Sequence, residues 1–229
     1  MIQFIVHKDQ HFAYNLAMKY LISFIFAFFM GAVPYAYIVG RVTKHIDIRK
    51  YGTKNPGAGN VFHLISWRAG TVALIGDAGK GFLALYIIWL VYKFNGTILT
   101  YLGIASVLGH VFSPFLEFKG GKGAATSGGF LLFVIPVTLK TKAITFLTYY
   151  IIAWLILLLI THSQVVTLSV IMPTLPISLW FVTEDINLVI AIILLVILIE
   201  ALGAGSLRRE WQASYEKYIS RYFKQKNKN

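Results

Sequence analysis

Stretches of about twenty residues without one charged side chain constrain this chain more than any motif in it. Residues 21–40, Ala143–Thr161 and residues 165–183 contain no Asp, Glu, Lys or Arg. A helix of roughly 20 apolar residues crosses a hydrocarbon core about 30 Å thick. Four further spans fit residues 69–92, 98–116, 124–139 and 186–203, for seven in all. Charged residues make up only 13% of the 229, and 57% are hydrophobic, whereas soluble domains run near 25% charged. The expected fold is therefore an all-α integral membrane protein, a bundle of about seven transmembrane helices. Some of these spans are short or interrupted: the second contains Asp77 and Lys80, and the fourth is short and opens on glycines. Irregular backbone at membrane depth survives only where protein or a wet cavity covers it, so these imperfect spans point to the functional interior.

The expected organisation is a polar segment over residues 1–17, a membrane domain over 18–206 and a basic tail over 207–229. Arg41, Lys44, Arg49, Lys50, Lys54 and Arg68 follow the first span against the single acid Asp47. The tail carries Arg208, Arg209, Lys217, Arg221, Lys224, Lys226 and Lys228. Cationic flanks mark the cytoplasmic side. Seven spans then put the N-terminus outside, the C-terminus inside and Lys119 and Lys122 on the cytoplasmic face, with Lys140 and Lys142 as the exceptions. The formal net charge of +12 sits beside apolar runs, as anionic lipid favours, so the expected partner is membrane lipid and no nucleic acid. The chain has no cysteine, which removes disulfides and thiolate chemistry. No Glu-x-x-His or paired His-x-x-His spacing suggests a metal, no Gly-x-Ser-x-Gly elbow occurs, and no cofactor is expected.

Chemistry concentrates in two loops. The first, Asp47-Ile48-Arg49 followed by Tyr51-Gly52-Thr53-Lys54-Asn55-Pro56-Gly57-Ala58-Gly59-Asn60, mixes glycines, amides and cations. Glycine admits positive φ and close approach, so such a loop can aim N–H groups at an anion, with phosphate the obvious one. The same composition also suits an ordinary basic juxtamembrane loop. The second, Phe118-Lys119-Gly120-Gly121-Lys122-Gly123-Ala124-Ala125-Thr126, leads into a helix. A helix start offers unpaired N–H donors and a favourable dipole, and lysine adds a point charge. It is not a Walker A loop, because Leu116 and Gly123 stand where that pattern needs a glycine and a Ser or Thr. Asp77 and Lys80 share one helix face, and intramembrane ionisable groups are functional suspects, although a structural ion pair explains them equally well. His63 and His110 are candidates for proton transfer or for simple hydrogen bonding.

Taken together, these segments resemble the bacterial acyl-phosphate:glycerol-3-phosphate acyltransferases, the PlsY family. Its first motif is matched by Gly31-Ala32-Val33-Pro34, by Asp47-Ile48-Arg49 and by Gly52 to Asn60. Its Asp-x-x-Lys-Gly is matched by Asp77, Lys80 and Gly81. Its second motif is matched by Val107-Leu108-Gly109-His110-Val111-Phe112 and by Phe118 to Thr126. Ser169 resembles the family's active-site serine in a later helix. The resemblance implies transfer of a fatty acyl group from acyl phosphate to sn-glycerol 3-phosphate, giving lysophosphatidate in bacterial phospholipid synthesis. It further implies a site on the cytoplasmic side of the cell membrane.

Under that resemblance, Thr53, Ser169 and Lys122 are the expected catalytic contacts. Gly52, Asn55, Gly57, Asn60, His63, Gly120, Gly121, Gly123 and Thr126 are expected to bind substrate or phosphate, with Asp47, Arg49, Asp77, Lys80 and His110 in support. The chain departs from the family pattern at Thr53 (usually serine), Lys54 (glycine), Gly59 (threonine) and His63 (arginine), and its last helix lacks the family's His and Asn. Those departures leave two alternatives open: a different phosphorylated acceptor, or a non-catalytic lipid- or anion-binding protein or small transporter.

Overall fold

The structure is a computed structural model that describes the backbone of residues 2–226 and the side chains of residues 14–209. The described chain is helical, with no strand among the described residues. Six helical segments are long and apolar enough to cross a membrane by length and composition. One of them, Ala124–Thr161, contains both the fourth and the fifth expected spans, divided by a 3-10 turn at Lys140–Lys142. By packing, the chain forms two compact units that meet at residues 141 and 142 in sequence. The polar N-terminal segment lies, up to residue 13, outside the residues whose side chains are described, as does the basic tail from residue 210.

The first unit is built from α1 (Ile2–Ala32), α2 (Tyr35–Lys44), α3 (Ala58–Leu64), α4 (Trp67–Tyr92), α5 (Gly96–Val111) and α6 (Ala124–Leu139). The uncharged run 21–40 is thus not one helix. It breaks at Val33–Pro34, because proline supplies no N–H to continue the ladder. A break in an apolar setting exposes carbonyls that need donors, and the sequence provides them. Ser113 Oγ donates to Ala32 O at 2.6 Å, and Lys80 Nζ donates to Val33 O at 2.7 Å. Helix starts follow their capping residues: Ser66 Oγ accepts from Ala69 N and Asn95 Oδ1 from Ile98 N.

Without a solvent-driven hydrophobic effect, membrane helices associate through close backbone approach at small residues. Here α1 packs along α5 and α4 along α6. A Cβ on Gly31 would overlap the Ser106 carbonyl and one on Gly109 the Phe28 carbonyl. On the second pair, Gly81 lies against Thr126 O and Gly129 against Ala78 O. These crossings hold the α6 start beside α4 and the α5 end beside α1, which places the two glycine-rich loops at one end of the unit.

The second unit comprises α7 (Ala143–Thr161), α8 (Gln164–Ile171), α9 (Thr174–Val182) and α10 (Ile186–Lys226). The expected span 165–183 is interrupted at Met172–Pro173, between α8 and α9. Hydroxyls tie these helices internally: Tyr150 Oη lies 2.6 Å from Ser178 Oγ, and Thr161 Oγ1 2.8 Å from Thr167 Oγ1.

Candidate functional site

The first loop leaves α2 through His45, which has a left-handed φ of 56°. Asp47 then caps a 3-10 turn at Ile48–Lys50 and grips Arg49 from two sides. Its Oδ1 accepts from the Arg49 backbone N at 3.0 Å, and its Oδ2 accepts from Nη2 at 3.0 Å. The Arg49 hydrogen bonds hold the Asp47 carboxyl below the usual carboxylate range, against the opposing effect of burial, and Asp47 in turn raises Arg49. The same guanidinium lies 5.2 Å from the Tyr37 ring centroid and donates to Leu116 O at 3.4 Å. Arg49 therefore connects the first loop to the segment that leads into the second.

Asn60 organises the rest of this loop. It is 1% exposed, its Nδ2 donates to Ile48 O and Tyr51 O at 2.8 and 3.1 Å, and its Oδ1 accepts from Thr53 N at 3.0 Å. The expected substrate amide thus has its donor and acceptor both engaged with loop backbone. Gly52, at φ +57°, packs against Asn60 Oδ1. Thr53 is exposed and its Oγ1 accepts from Asn55 N at 3.4 Å. Lys54 holds a φ of 60°, a conformation that costs a non-glycine residue about 1–2 kcal/mol. Gly57 is buried at the α3 N-cap, and His63 is exposed on the last turn of α3.

The second loop follows a 3-10 turn at Pro114–Leu116. Phe118 N donates to Ser113 O and Gly120 N to Val111 O, both at 2.9 Å. Gly123, at φ 84°, is the N-cap of α6 and makes no side-chain cap hydrogen bond, so the first turn of α6 begins on bare backbone. Thr126 is buried in that first turn, and Lys122 is half-buried between Gly121 and Gly123.

Behind the loop lies a buried polar cluster. Lys80 Nζ is 3.0 Å from Asp77 Oδ1 and 2.7 Å from His110 Nδ1, while His110 Nδ1 is 3.7 Å from the same carboxylate oxygen. All three residues are at most 6% exposed. The ion pair expected on one face of the second span is therefore real, and His110 completes it from α5.

Both loops meet at a cleft of about 750 Å³. Of the expected site residues, Asp47, Arg49, Thr53, Asn55 and Gly120 line it. Arg41, Lys50, Lys54 and Lys119 join them, so five cationic side chains face two carboxylates, Asp47 and Glu117. Arg41, Lys50, Lys54, Pro56, Glu117 and Lys119 line the cleft without being among the expected site residues; the readable signal is the density of cations flanking each motif. Gly52, Gly57, Asn60, His63, Gly121, Lys122, Gly123 and Thr126 are not among the lining residues, and Asp77, Lys80 and His110 lie buried. Ser169 is half-buried on α8, in the second unit.

The profile of the glycerol-3-phosphate acyltransferase family matches residues 21–206. A glycerol-3-phosphate acyltransferase of Fusobacterium nucleatum is 43% identical over 136 residues, which is 58% of this chain and 69% of that protein. One of Bacillus subtilis is 42% identical over 125 residues, 55% of this chain and 64% of that protein. The alignments thus span about two thirds of these relatives' length. Among solved structures, PlsY (YgiH), an integral membrane glycerol 3-phosphate acyltransferase, in its glycerol 3-phosphate form superposes with a TM-score of 0.74 at 26% identity. That match covers 85% of this chain and 92% of the other. Its lysophosphatidic acid form gives a TM-score of 0.72. The motif loops, their common cleft and these matches lead to one conclusion: the chain belongs to the glycerol-3-phosphate acyltransferase family of integral membrane proteins.

Proposed function

We propose that this chain transfers a fatty acyl group from acyl phosphate to the primary hydroxyl of sn-glycerol 3-phosphate at the cytoplasmic face of a bacterial cell membrane. The observation that carries the reading is the cleft itself, where both family motifs converge and cations outnumber carboxylates five to two. Donor and acceptor are both phosphate anions, and a positively lined cleft concentrates and orients them. The acceptor hydroxyl attacks the carbonyl carbon, a new C–O ester bond forms, the bond from that carbon to the phosphate oxygen breaks, and inorganic phosphate leaves with the electron pair. In the net reaction the hydroxyl proton ends on the released phosphate.

The donor is already activated, so the protein's task is placement and charge stabilisation. In this reading Lys50, Lys54 and Lys119 supply mobile charge at the cleft. Asn55 orients the acceptor, Thr53 offers a hydroxyl, and Lys122 with the α6 N-terminus holds a phosphate. Arg49 and Asn60 shape the first loop rather than contact substrate, since their polar groups are engaged within the protein. Ser169 is proposed as a further hydroxyl contact on the family resemblance alone. The cytoplasmic orientation is supported by the cations of residues 41–68, several of which line the cleft.

The test is to incubate the purified protein in lipid with palmitoyl phosphate, with and without glycerol 3-phosphate, and to follow inorganic phosphate and lysophosphatidate together. Acceptor-dependent formation of both is expected. Phosphate release that ignores glycerol 3-phosphate but answers another phosphorylated alcohol would replace the acceptor, a reading motivated by the exposed His63 where the family pattern has arginine.

A further inference from the structure

The Asp77–Lys80–His110 cluster is buried and does not line the cleft, and nothing in acyl transfer from a preactivated donor calls for it. Its connections show what it does. Lys80 reaches three elements from its place on α4: its ammonium meets Asp77 one turn back, the Val33 carbonyl at the α1–α2 break, and Nδ1 of His110 at the end of α5. An ammonium has donors only, so Nδ1 must accept. The ring proton therefore sits on Nε2, and the ring orientation is fixed by Lys80.

The opposite edge of that ring faces the second loop. A Cβ built on Gly121 would overlap His110 Nε2, and its next nearest atoms, Cε1 and Cδ2 at 3.0 and 3.2 Å, belong to the same ring. A Cβ on Gly120 would overlap the His110 carbonyl, and Gly120 N donates to Val111 O at 2.9 Å. The Gly120-Gly121 pair is thus moulded on the end of α5, its first glycine against the backbone of His110 and Val111 and its second against the His110 imidazole edge. Lys122 and Gly123, the α6 N-cap, follow at once.

We propose that Asp77, Lys80 and His110 are positioning residues that set the second loop: Lys80 locks the His110 ring, and the ring edge sets the path of Gly120–Gly123 and with it the aim of Lys122 and the α6 N-terminus. The consequence for substrate binding rests on the acyltransferase reading; the consequence for loop order does not.

The experiment pairs Gly121→Ala with His110→Asn. Asparagine keeps an acceptor near the place of Nδ1 for Lys80 but withdraws the ring edge, making room for the new methyl. Gly121→Ala alone should speed amide hydrogen exchange across residues 119–123 at least tenfold while α4 and α5 exchange as in the parent. It should also raise KM for phosphate substrates at least tenfold with kcat changed less than threefold. Adding His110→Asn should bring both quantities back to within about threefold of the parent. Exchange unchanged by Gly121→Ala, or a double variant no better than Gly121→Ala, would overturn the proposal. If His110→Asn does not fold, Gly121→Ala decides alone: loosening confined to 119–123 supports it, and loosening spread evenly over α4, α5 and the loop overturns it. Because exchange is read without substrate, loss of the acyltransferase reading would show only in the assay.

Discussion

The two glycine-rich loops face one cleft but are held in opposite ways. The first is a surface loop shaped by side chains that reach into it: Asn60 satisfies three backbone groups of the stretch from Ile48 to Thr53, and Asp47 clasps Arg49. Its glycines meet side chains or open space rather than backbone: Gly52, at φ +57°, lies against Asn60 Oδ1 and Gly57 against Asn55 Nδ2, while a Cβ on Gly59 would meet nothing within 4 Å. The second loop is shaped by close approach, with Gly120 pressed against the His110 carbonyl, Gly121 against the His110 ring and Gly123 turning at positive φ into α6. Adding a Cβ is thus cheap at Gly59 and strained at Gly52, whereas at Gly120 it meets backbone that cannot yield. The departures from the family pattern, at Thr53, Lys54, Gly59 and His63, all lie in the first motif, and the one at Lys54 is held at a left-handed φ of 60°.

The hardest test of this contrast is Gly120→Ala. The added methyl would collide with the His110 carbonyl, a backbone group, with no flexible side chain to yield. A fall in kcat/KM of more than about a hundredfold is expected, equivalent to at least about 2.7 kcal/mol of transition-state stabilisation, with Gly59→Ala as the control that stays near the parent. Equal losses in both variants would erase the distinction between the loops.

Asn60→Ala should come next. It leaves two carbonyls and one N–H of the first loop without their partner, each worth about 1–3 kcal/mol if no water reaches it. The expected result is a fall in kcat/KM of about tenfold to a hundredfold with rapid proteolysis between residues 50 and 57. Retained loop protection with lost activity would instead return Asn60 to direct substrate contact.

A smaller effect belongs to the Asp47–Arg49 clasp. Arg49 holds the folded-state pKa of Asp47 below its unfolded value. The stabilisation is therefore complete above an unfolded carboxylate pKa of about 3.9 and disappears as pH falls through the lower folded value. Thermal melts of the parent and of Asp47→Asn in detergent should differ by a constant amount between pH 5 and 8 and converge below about pH 4. A difference that grows on acidification would reverse the assigned sign.

Much of this was legible in the sequence, for identifiable reasons. Apolar runs announced the helices because lipid tolerates little else, but the uncharged run 21–40 hid the α1–α2 break at Pro34. Asp77 and Lys80 could be paired from their three-residue spacing. What spacing could not supply was His110 as their third member, since it arrives from another helix thirty residues away. Nor could composition tell an amide that binds substrate from one that binds its own loop. Asn55 and Asn60 look alike in sequence, yet Asn60 is buried with donors and acceptor engaged, while Asn55 lines the cleft. The division into two units at residues 141 and 142 follows from tertiary packing and leaves no mark on hydropathy.

The smallest expected effect is also the one that separates strain from charge in the first loop. Lys54 occupies a left-handed φ where the family pattern has glycine, yet it is among the cations lining the cleft. Lys54→Gly should relieve about 1 kcal/mol of backbone strain, partly offset by the greater freedom of glycine in the unfolded chain. The melting temperature should then shift by no more than a few degrees while KM for glycerol 3-phosphate rises about threefold to tenfold through loss of a cation. Lys54→Asn makes the complementary change, because asparagine tolerates the left-handed region but carries no charge. Similar KM values for the glycine and asparagine variants would assign the effect to charge. A parent-like KM in Lys54→Asn with a raised one in Lys54→Gly would assign it to loop order, and the lysine would then be a strained spacer rather than a binding group.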